Sequence, residues 1–458
     1  MKKTLSIFLS ILTLFVSISA CFSSYGATYT PDVELYSDAY MLINLDDDSY
    51  PTVVEYNADE KMYPASLTKI ATAMVVLNNV DDLQAEVEVT SSAYNILLGT
   101  GAQVAGLEVG DVATVEDLLY LTMVHSACDA TEVLAEYVGG TRENFIQMMN
   151  DYAESLGCTG TNFVNPDGLH DDDHYTTARD MSLMTLDAIQ NETFLKIATT
   201  LTYEYNGTNY YHTNLMLRSG YVSYYYEYAE GIKTGSTDEA GYCVVTKASK
   251  DGYNYLAIVM GAPLIDYNDD GYIEKCSFID AASLFEWAFS SLKYSTLIEA
   301  NEIVEEIAVE NGKDADSVQL VAAEDVTVIV PSSLDKSTLI VEIEDKPESI
   351  SAPITEGDYV CTANIIYGDQ VVATVELVAG SSVELSTFLT VINAVKDFFS
   401  LTAVKIAVLV VVVAIVVYIL LVIRNARKKK KKRKLREQAY LEEEEARNKP
   451  LEPPKRNE

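Results

Sequence analysis

The chain has 458 residues, 48% of them hydrophobic, and its 69 Asp and Glu outnumber 32 Lys and Arg for a formal charge of −37. That length allows two or three domains, and the acidic balance argues against nucleic acid as a partner. Six scattered cysteines (Cys21, Cys128, Cys158, Cys243, Cys276, Cys361), with no C-x-x-C and no histidine at ligand spacing, argue against a zinc site and against a disulfide scaffold.

Residues 1–26 read as a secretory signal peptide: Lys2 and Lys3, an apolar run from Leu5 to Ile18, then small residues. "ISAC" at Ile18–Cys21 also has the form of a lipoprotein cleavage site, so lipidation of Cys21 stays open. Over 29–295 strand and helix patterns mix. "AYMLINLDD" and "PTVVEYN" read as a hairpin, and "SLTKIATAMVVLNNV" has helical spacing. "TVEDLLYLTMVHS" and "ATEVLAEYVGG" follow as helices, the second stopping at Gly-Gly; "GGTRENFIQMMNDYAESLG" is a further helix ending at Gly157. "AGYCVVTKASKDGYNYLAIVMGAP" is strand, Asp-Gly turn, strand, and "FIDAASLFEWAFSSL" closes the region as a helix.

Over 302–385 short β-branched runs alternate with turn signals ("VQLVAA", "VTVIVP", "LIVEIE", "YVCTANIIYGDQVVATVEL"), which predicts an all-β module. Residues 386–400 form an amphipathic juxtamembrane segment. Residues 401–423 are apolar enough to span a bilayer, with Lys405 able to snorkel. The dense basic run that follows, in the tail 424–458, marks the cytoplasmic side. That tail holds 14 Lys and Arg against 7 Asp and Glu, leaving 18 against 62, a formal −44, for the rest. The expectation is an exported ectodomain on a single C-terminal membrane helix.

Three short motifs carry the chemistry. "YPASLTKIATAM" sets Ser66 and Lys69 three residues apart, on one face of a helical turn. Alone this spacing is equally met by a capping serine and a solvent-facing lysine. "MVHSACDATEVLA" places Ser126 and Cys128 at a helix junction 60 residues after Ser66, and "EGIKTGSTDEAGYCVV" places Lys233, Thr234 and Gly235 on a strand. A serine with a lysine three residues on, then a variant of S-x-N, then K-T-G, in that order, is the signature of penicillin-interacting serine enzymes.

On these motifs the chain resembles the D-alanyl-D-alanine carboxypeptidases, the low-molecular-mass penicillin-binding proteins. "PASLTKIATA", "GLEVGDVATVEDLLYLTMVHSACDA", "TNFVNPDGLHDDDHYTTARDMSLM" and "ISAPITEGDYVCTANIIYGDQVVATVELVAG" are each similar to the family's text. The resemblance covers roughly residues 30–400. It implies an α/β penicillin-binding/β-lactamase-like domain (an antiparallel sheet flanked by helices), a C-terminal all-β domain and one transmembrane helix. It also implies acyl transfer to Ser66 with Lys69 as base, Ser126 relaying a proton, and Lys233 and Thr234 holding the substrate carboxylate. The backbone N–H groups of Ser66 and Ser236 would form the oxyanion hole beside Gly235. Peptidoglycan stem peptides, β-lactam antibiotics and the membrane are the implied partners; no metal or cofactor is called for.

Two departures stand out. Cys128 occupies the place of the motif asparagine, and a thiol donates and accepts hydrogen bonds only weakly. No arginine follows "AIVMGAP", where the family often meets the substrate carboxylate with one; Lys275 is the only cation in "LIDYNDDGYIEKCSF", which reads as a lengthened acidic loop. The open alternatives are a catalytically weakened, wall-binding homologue, or an endopeptidase or β-lactamase of the same fold. Asn165–Gly168 reads as a turn, His170, His174 and His212 as hydrogen-bonding loop residues, and His125 as pointing away from Cys128.

Overall fold

The computed structural model describes residues 27–268 and 271–448. The expected signal segment, Cys21 included, and the end of the basic tail lie outside the described residues. The chain falls into two compact units. One holds the residues up to Glu302 with Ala322–Asp345 and Cys361–Glu376. The other holds Ile303–Val321, Lys346–Val360 and the residues from Leu377 onward.

The first unit is built on a five-stranded antiparallel sheet. Strands β1 (Ala39–Asn44) and β2 (Thr52–Tyr56) form the expected hairpin; β3 (Ala229–Thr237), β4 (Gly241–Lys250) and β5 (Tyr253–Ala262) complete the order β2-β1-β5-β4-β3. The β4–β5 turn is Asp251-Gly252, with φ of 53° and 88°, the left-handed pair that a tight hairpin of this type requires. The inner strands read as continuous apolar runs because both faces of the sheet are covered. In β5, Leu256, Ile258 and Met260 enter one core cluster while Tyr255, Ala257 and Val259 enter the other.

The first cluster is filled by helices α1 (Lys69–Asn79), α2 (Val115–Val124), α3 (Cys128–Gly139), α4 (Arg142–Ser155) and α5 (Ala178–Gln190); the second is filled by α6 (Cys276–Ser291). Local chemistry sets the helix ends. Thr114 and Asp117 form a capping box at the start of α2, Thr141 caps α4 and Thr177 caps α5. Gly140, with φ of 69°, stops α3 where the sequence predicts.

One expectation needs refinement. Ser66 does not open an α-helix: Ala65–Thr68 is a 3-10 turn, and α1 begins at Lys69. Ala65 has φ of 46°, and the Thr68 hydroxyl donates back to the Ala65 carbonyl at 2.8 Å. The turn is tight because two glycine backbones press on it. A Cβ on Gly168 would lie 1.9 Å from the Ala65 carbonyl oxygen. One on Gly235 of β3 would lie 2.8 Å from the Pro64 carbonyl oxygen and 3.0 Å from Ser66 N. The glycine of K-T-G is thus required by close backbone approach to the serine turn.

Beyond α6, Leu292–Ile298 pairs antiparallel with Val326–Pro331, and Ile340–Glu344 pairs antiparallel with Tyr359–Tyr367. In the second unit Ile303–Glu310 pairs antiparallel with Ser317–Ala322 and parallel with Ser349–Ser351. The same unit carries α7 (Thr387–Ser400) and α8 (Thr402–Arg447). Among the described residues α8 is the one helix long and apolar enough to cross a membrane, consistent with membrane anchoring. It continues through the basic tail as far as Arg447, since lysine and arginine are good helix formers.

Gly168→Ala tests the clamp on the serine turn. Gly207 has a similar φ, 75° against 83°, but open space around it. Urea unfolding should show Gly207→Ala costing about 1–2 kcal/mol, the price of a left-handed alanine. Gly168→Ala should cost at least about 2 kcal/mol more, because the added methyl must also displace the Ala65 carbonyl.

Candidate active site

The serine turn, the α2–α3 junction and the edge strand β3 converge on one cleft of about 800 Å³, lined by Ser66, Ser126, Cys128, Thr234, Gly235 and Ser236. Every site residue expected from the sequence is brought there or directly beneath it. Lys69, the first residue of α1, sends Nζ to Ser66 Oγ at 3.0 Å, to Cys128 Sγ at 3.4 Å and to the Asp167 backbone carbonyl. On β3 the register with β4 shifts between Glu230 and Lys233, a bulge that re-aims the strand just before K-T-G. Lys233 Nζ then donates to Ser126 Oγ at 2.9 Å and to the Thr234 carbonyl at 2.9 Å. Thr234 Oγ1 donates to Thr213 Oγ1 at 2.7 Å.

Ser126 reaches its place through a left-handed backbone, φ of 62°, between α2 and α3. A non-glycine residue there costs energy and persists only where surrounding contacts hold it. Those contacts are visible. Cys128 N donates to the Gln103 carbonyl at 2.8 Å. The Asp129 carboxylate accepts from the N–H groups of Ala105, Gly106 and Leu107 at 2.8–3.0 Å, binding the 103–107 loop to the start of α3.

Both lysines are fully buried. Burial, and next the charge of Lys69, holds the Lys233 amine well below the ordinary lysine value. Burial pushes the Cys128 thiol up more than Lys69 draws it down, so a neutral thiol faces the Lys69 amine. His174 is also buried. Its Nδ1 accepts from Val164 N at 3.1 Å and its Nε2 meets Thr68 Oγ1 at 2.8 Å; burial lowers its pKa to about 4. His212, likewise lowered to about 4 by burial, accepts from Asn214 N at Nδ1. Both are neutral hydrogen-bonding residues, as the sequence suggests. His125 packs on Tyr210 with ring centroids 4.9 Å apart. None of the five described cysteines is in a disulfide.

Sequence reasoning missed three contributors. Asn165–Gly168 is more than a turn, because the Asp167 carbonyl is a partner of Lys69 and Thr72 Oγ1 fastens the Pro166 carbonyl at 2.6 Å. Thr213 lies in no motif, and Asp129, though inside the quoted S-A-C stretch, acts on the loop around Ala105–Leu107 earlier in the chain, a contact that no local pattern marks. Where the arginine is missing, Lys275 lines the cleft, its Nζ 5.0 Å from the centroid of the Tyr242 ring. Asp238 and Glu239 add an acidic edge, and His170 stands 3.8 Å from Glu239.

Comparison with known proteins agrees with this geometry. Residues 26–264 match the family described as D-alanyl-D-alanine carboxypeptidase, and residues 293–385 match the penicillin-binding protein 5 C-terminal domain. The chain is 28% identical over 393 residues to D-alanyl-D-alanine carboxypeptidase DacF of Bacillus subtilis, covering 85% of this chain and 97% of that one. It is 30% identical over 357 residues to D-alanyl-D-alanine carboxypeptidase DacC of Escherichia coli, covering 76% and 84%. The crystal structure of penicillin-binding protein 5 from Haemophilus influenzae superposes with a TM-score of 0.58 at 26% identity, over 78% of this chain and 99% of that one. The chain belongs to the D-alanyl-D-alanine carboxypeptidase family.

Proposed function

We propose that this chain is a membrane-anchored serine carboxypeptidase that removes the terminal D-alanine from peptidoglycan stem pentapeptides through an acyl-enzyme on Ser66, and that β-lactams acylate the same serine. The ectodomain would face the wall, with α8 crossing the membrane and the basic tail on the cytoplasmic side. The observation that carries the reading is the environment of Lys69. Its Nζ lies 3.0 Å from Ser66 Oγ, and its other partners are a thiol and a backbone carbonyl, neither bearing a formal negative charge. A lysine can accept a proton only where its surroundings favour the neutral amine.

In this mechanism Lys69, acting as base, takes the Ser66 hydroxyl proton as Oγ bonds to the penultimate D-alanine carbonyl carbon. The carbonyl electron pair moves onto oxygen, which accepts from the Ser66 and Ser236 N–H groups. Donors of this kind each lower an acyl-transfer barrier by about 3 to 4 kcal/mol. On collapse the C–N bond breaks, and the proton that Lys69 took passes through Ser126, which Lys233 holds at 2.9 Å, to the leaving nitrogen, so that Lys69 is again free to act as base. Water then adds to the acyl ester and gives its proton to Lys69, which hands it to Ser66 Oγ as the ester C–O bond breaks, restoring both groups. Thr234 and Lys275 supply the hydrogen bond and the charge for the terminal carboxylate.

One observation favours a second reading, a wall-binding homologue without turnover. The Cys128 thiol offers the substrate backbone only weak hydrogen bonds.

The full-length protein should release D-alanine from a pentapeptide ending in D-Ala-D-Ala and label with fluorescent penicillin; Ser66→Ala should abolish both. Binding to peptidoglycan without release or labelling would support the second reading. Cys128→Asn should raise kcat/KM roughly 3- to 10-fold, the value of one good neutral hydrogen bond. Lys275→Met should raise KM about tenfold with kcat little changed, as loss of a partly solvated charge-assisted contact predicts.

A further inference from the structure

Beneath the serine turn lie two buried carboxyl groups that the mechanism above does not use. Glu132 sits on α3 one turn after Cys128, and Asp167 sits in the loop whose carbonyl holds Lys69; both are almost wholly buried. Their side chains are within hydrogen-bonding reach of each other. Asp167 Oδ1 accepts from Leu169 N at 2.9 Å, whereas the buried Oδ2 meets no donor among the described residues. Glu132 accepts from Arg142 Nε at 3.1 and 3.0 Å. A buried carboxylate oxygen without a donor is costly. A proton on the facing carboxyl satisfies it at once.

We propose that Glu132 and Asp167 share one proton beneath Ser66 and Lys69 and act as positioning residues: the shared proton ties the Asp167 loop, and so its carbonyl, in place against Lys69. The idea rests on the role assigned to Lys69 above. It also has an electrostatic side. Two buried carboxylates in contact repel each other. A second negative charge would favour the ammonium form of any amine beside it, which opposes its use as a base.

The charged and titratable groups around the pair are Arg142 on α4, Lys69 on α1, Cys128 on α3 and the neutral His174 behind Thr68. Glu136 and Glu143 border the outer side. Among the described residues only Arg142 meets Glu132 as a counter-charge. Burial, and next the Asp167 charge, raises Glu132 to about 7 against the pull of Arg142. The shared proton is therefore present in mildly acidic conditions and lost as pH rises through that value.

The test uses the full-length protein in detergent and has two arms. Difference infrared spectroscopy against Glu132→Gln should reveal a protonated-carboxyl band at pH 6 that fades by pH 8.5; this arm is independent of any catalysis. In the second arm, the rate of acylation by fluorescent penicillin is followed from pH 6 to 9. Wild type should lose roughly tenfold for each pH unit above the midpoint. Glu132→Gln and Asp167→Asn, each leaving a single carboxylate, should both lack that alkaline loss. Absence of the band in folded wild type overturns the proposal, as do alkaline limbs unchanged in both variants. A protein that shows the band but never acylates would keep the shared proton and overturn the role given to Lys69.

Discussion

Two lysines without exposed surface face one cleft, and most of the local architecture follows from having to hold them there. Removing an ammonium from water costs several kcal/mol unless partners replace the lost solvent. Lys69 has Ser66, Cys128 and the Asp167 carbonyl; Lys233 has Ser126 and the Thr234 carbonyl. None of those partners is a carboxylate. The amines are therefore solvated by dipoles and kept near, but not neutralised by, negative charge. That arrangement suits groups that must exchange protons rather than lock them into an ion pair.

Delivering those partners requires unfavourable backbone at several points. Ala65 and Ser126 both adopt left-handed φ, and the serine turn is pressed between Gly168 and the β3 glycine. The surroundings over-determine these conformations. Asp129 fastens the loop opposite Ser126, and Thr72 and His174 fasten the segments beneath Ser66. The bulge ahead of Lys233 lets the edge strand leave regular pairing before it reaches the cleft. Charge is distributed in the same spirit: on a strongly acidic chain, neither of the two buried amines has a carboxylate among its hydrogen-bond partners.

Much of this was legible in the chain. The alternation in "AYMLIN", the Asp-Gly turn and the glycine stops after α3 and α4 each depend on neighbours close in sequence, and each lands where expected. Ser66, Lys69, Ser126, Cys128 and Lys233–Ser236 were legible for another reason, since three weak motifs in a fixed order are jointly specific. The 3-10 character of the serine turn was not legible, because it comes from two glycine backbones 102 and 169 residues further along. Nor was the Asp167 carbonyl. Any residue offers a carbonyl, so no side-chain pattern marks it.

By itself the sequence determined the strand and helix periods, the order of the three motifs, the apolar C-terminal run and the presence of a thiol in place of an amide. These are properties of residue type and spacing. Tertiary structure alone decided that Lys69 and Lys233 lose all solvent, that Lys275 reaches the cleft wall, and that Glu132 meets Asp167. Burial and proximity across 35 or more residues are set by how the layers pack, and it is they, not residue identity, that shift a proton from one group to another.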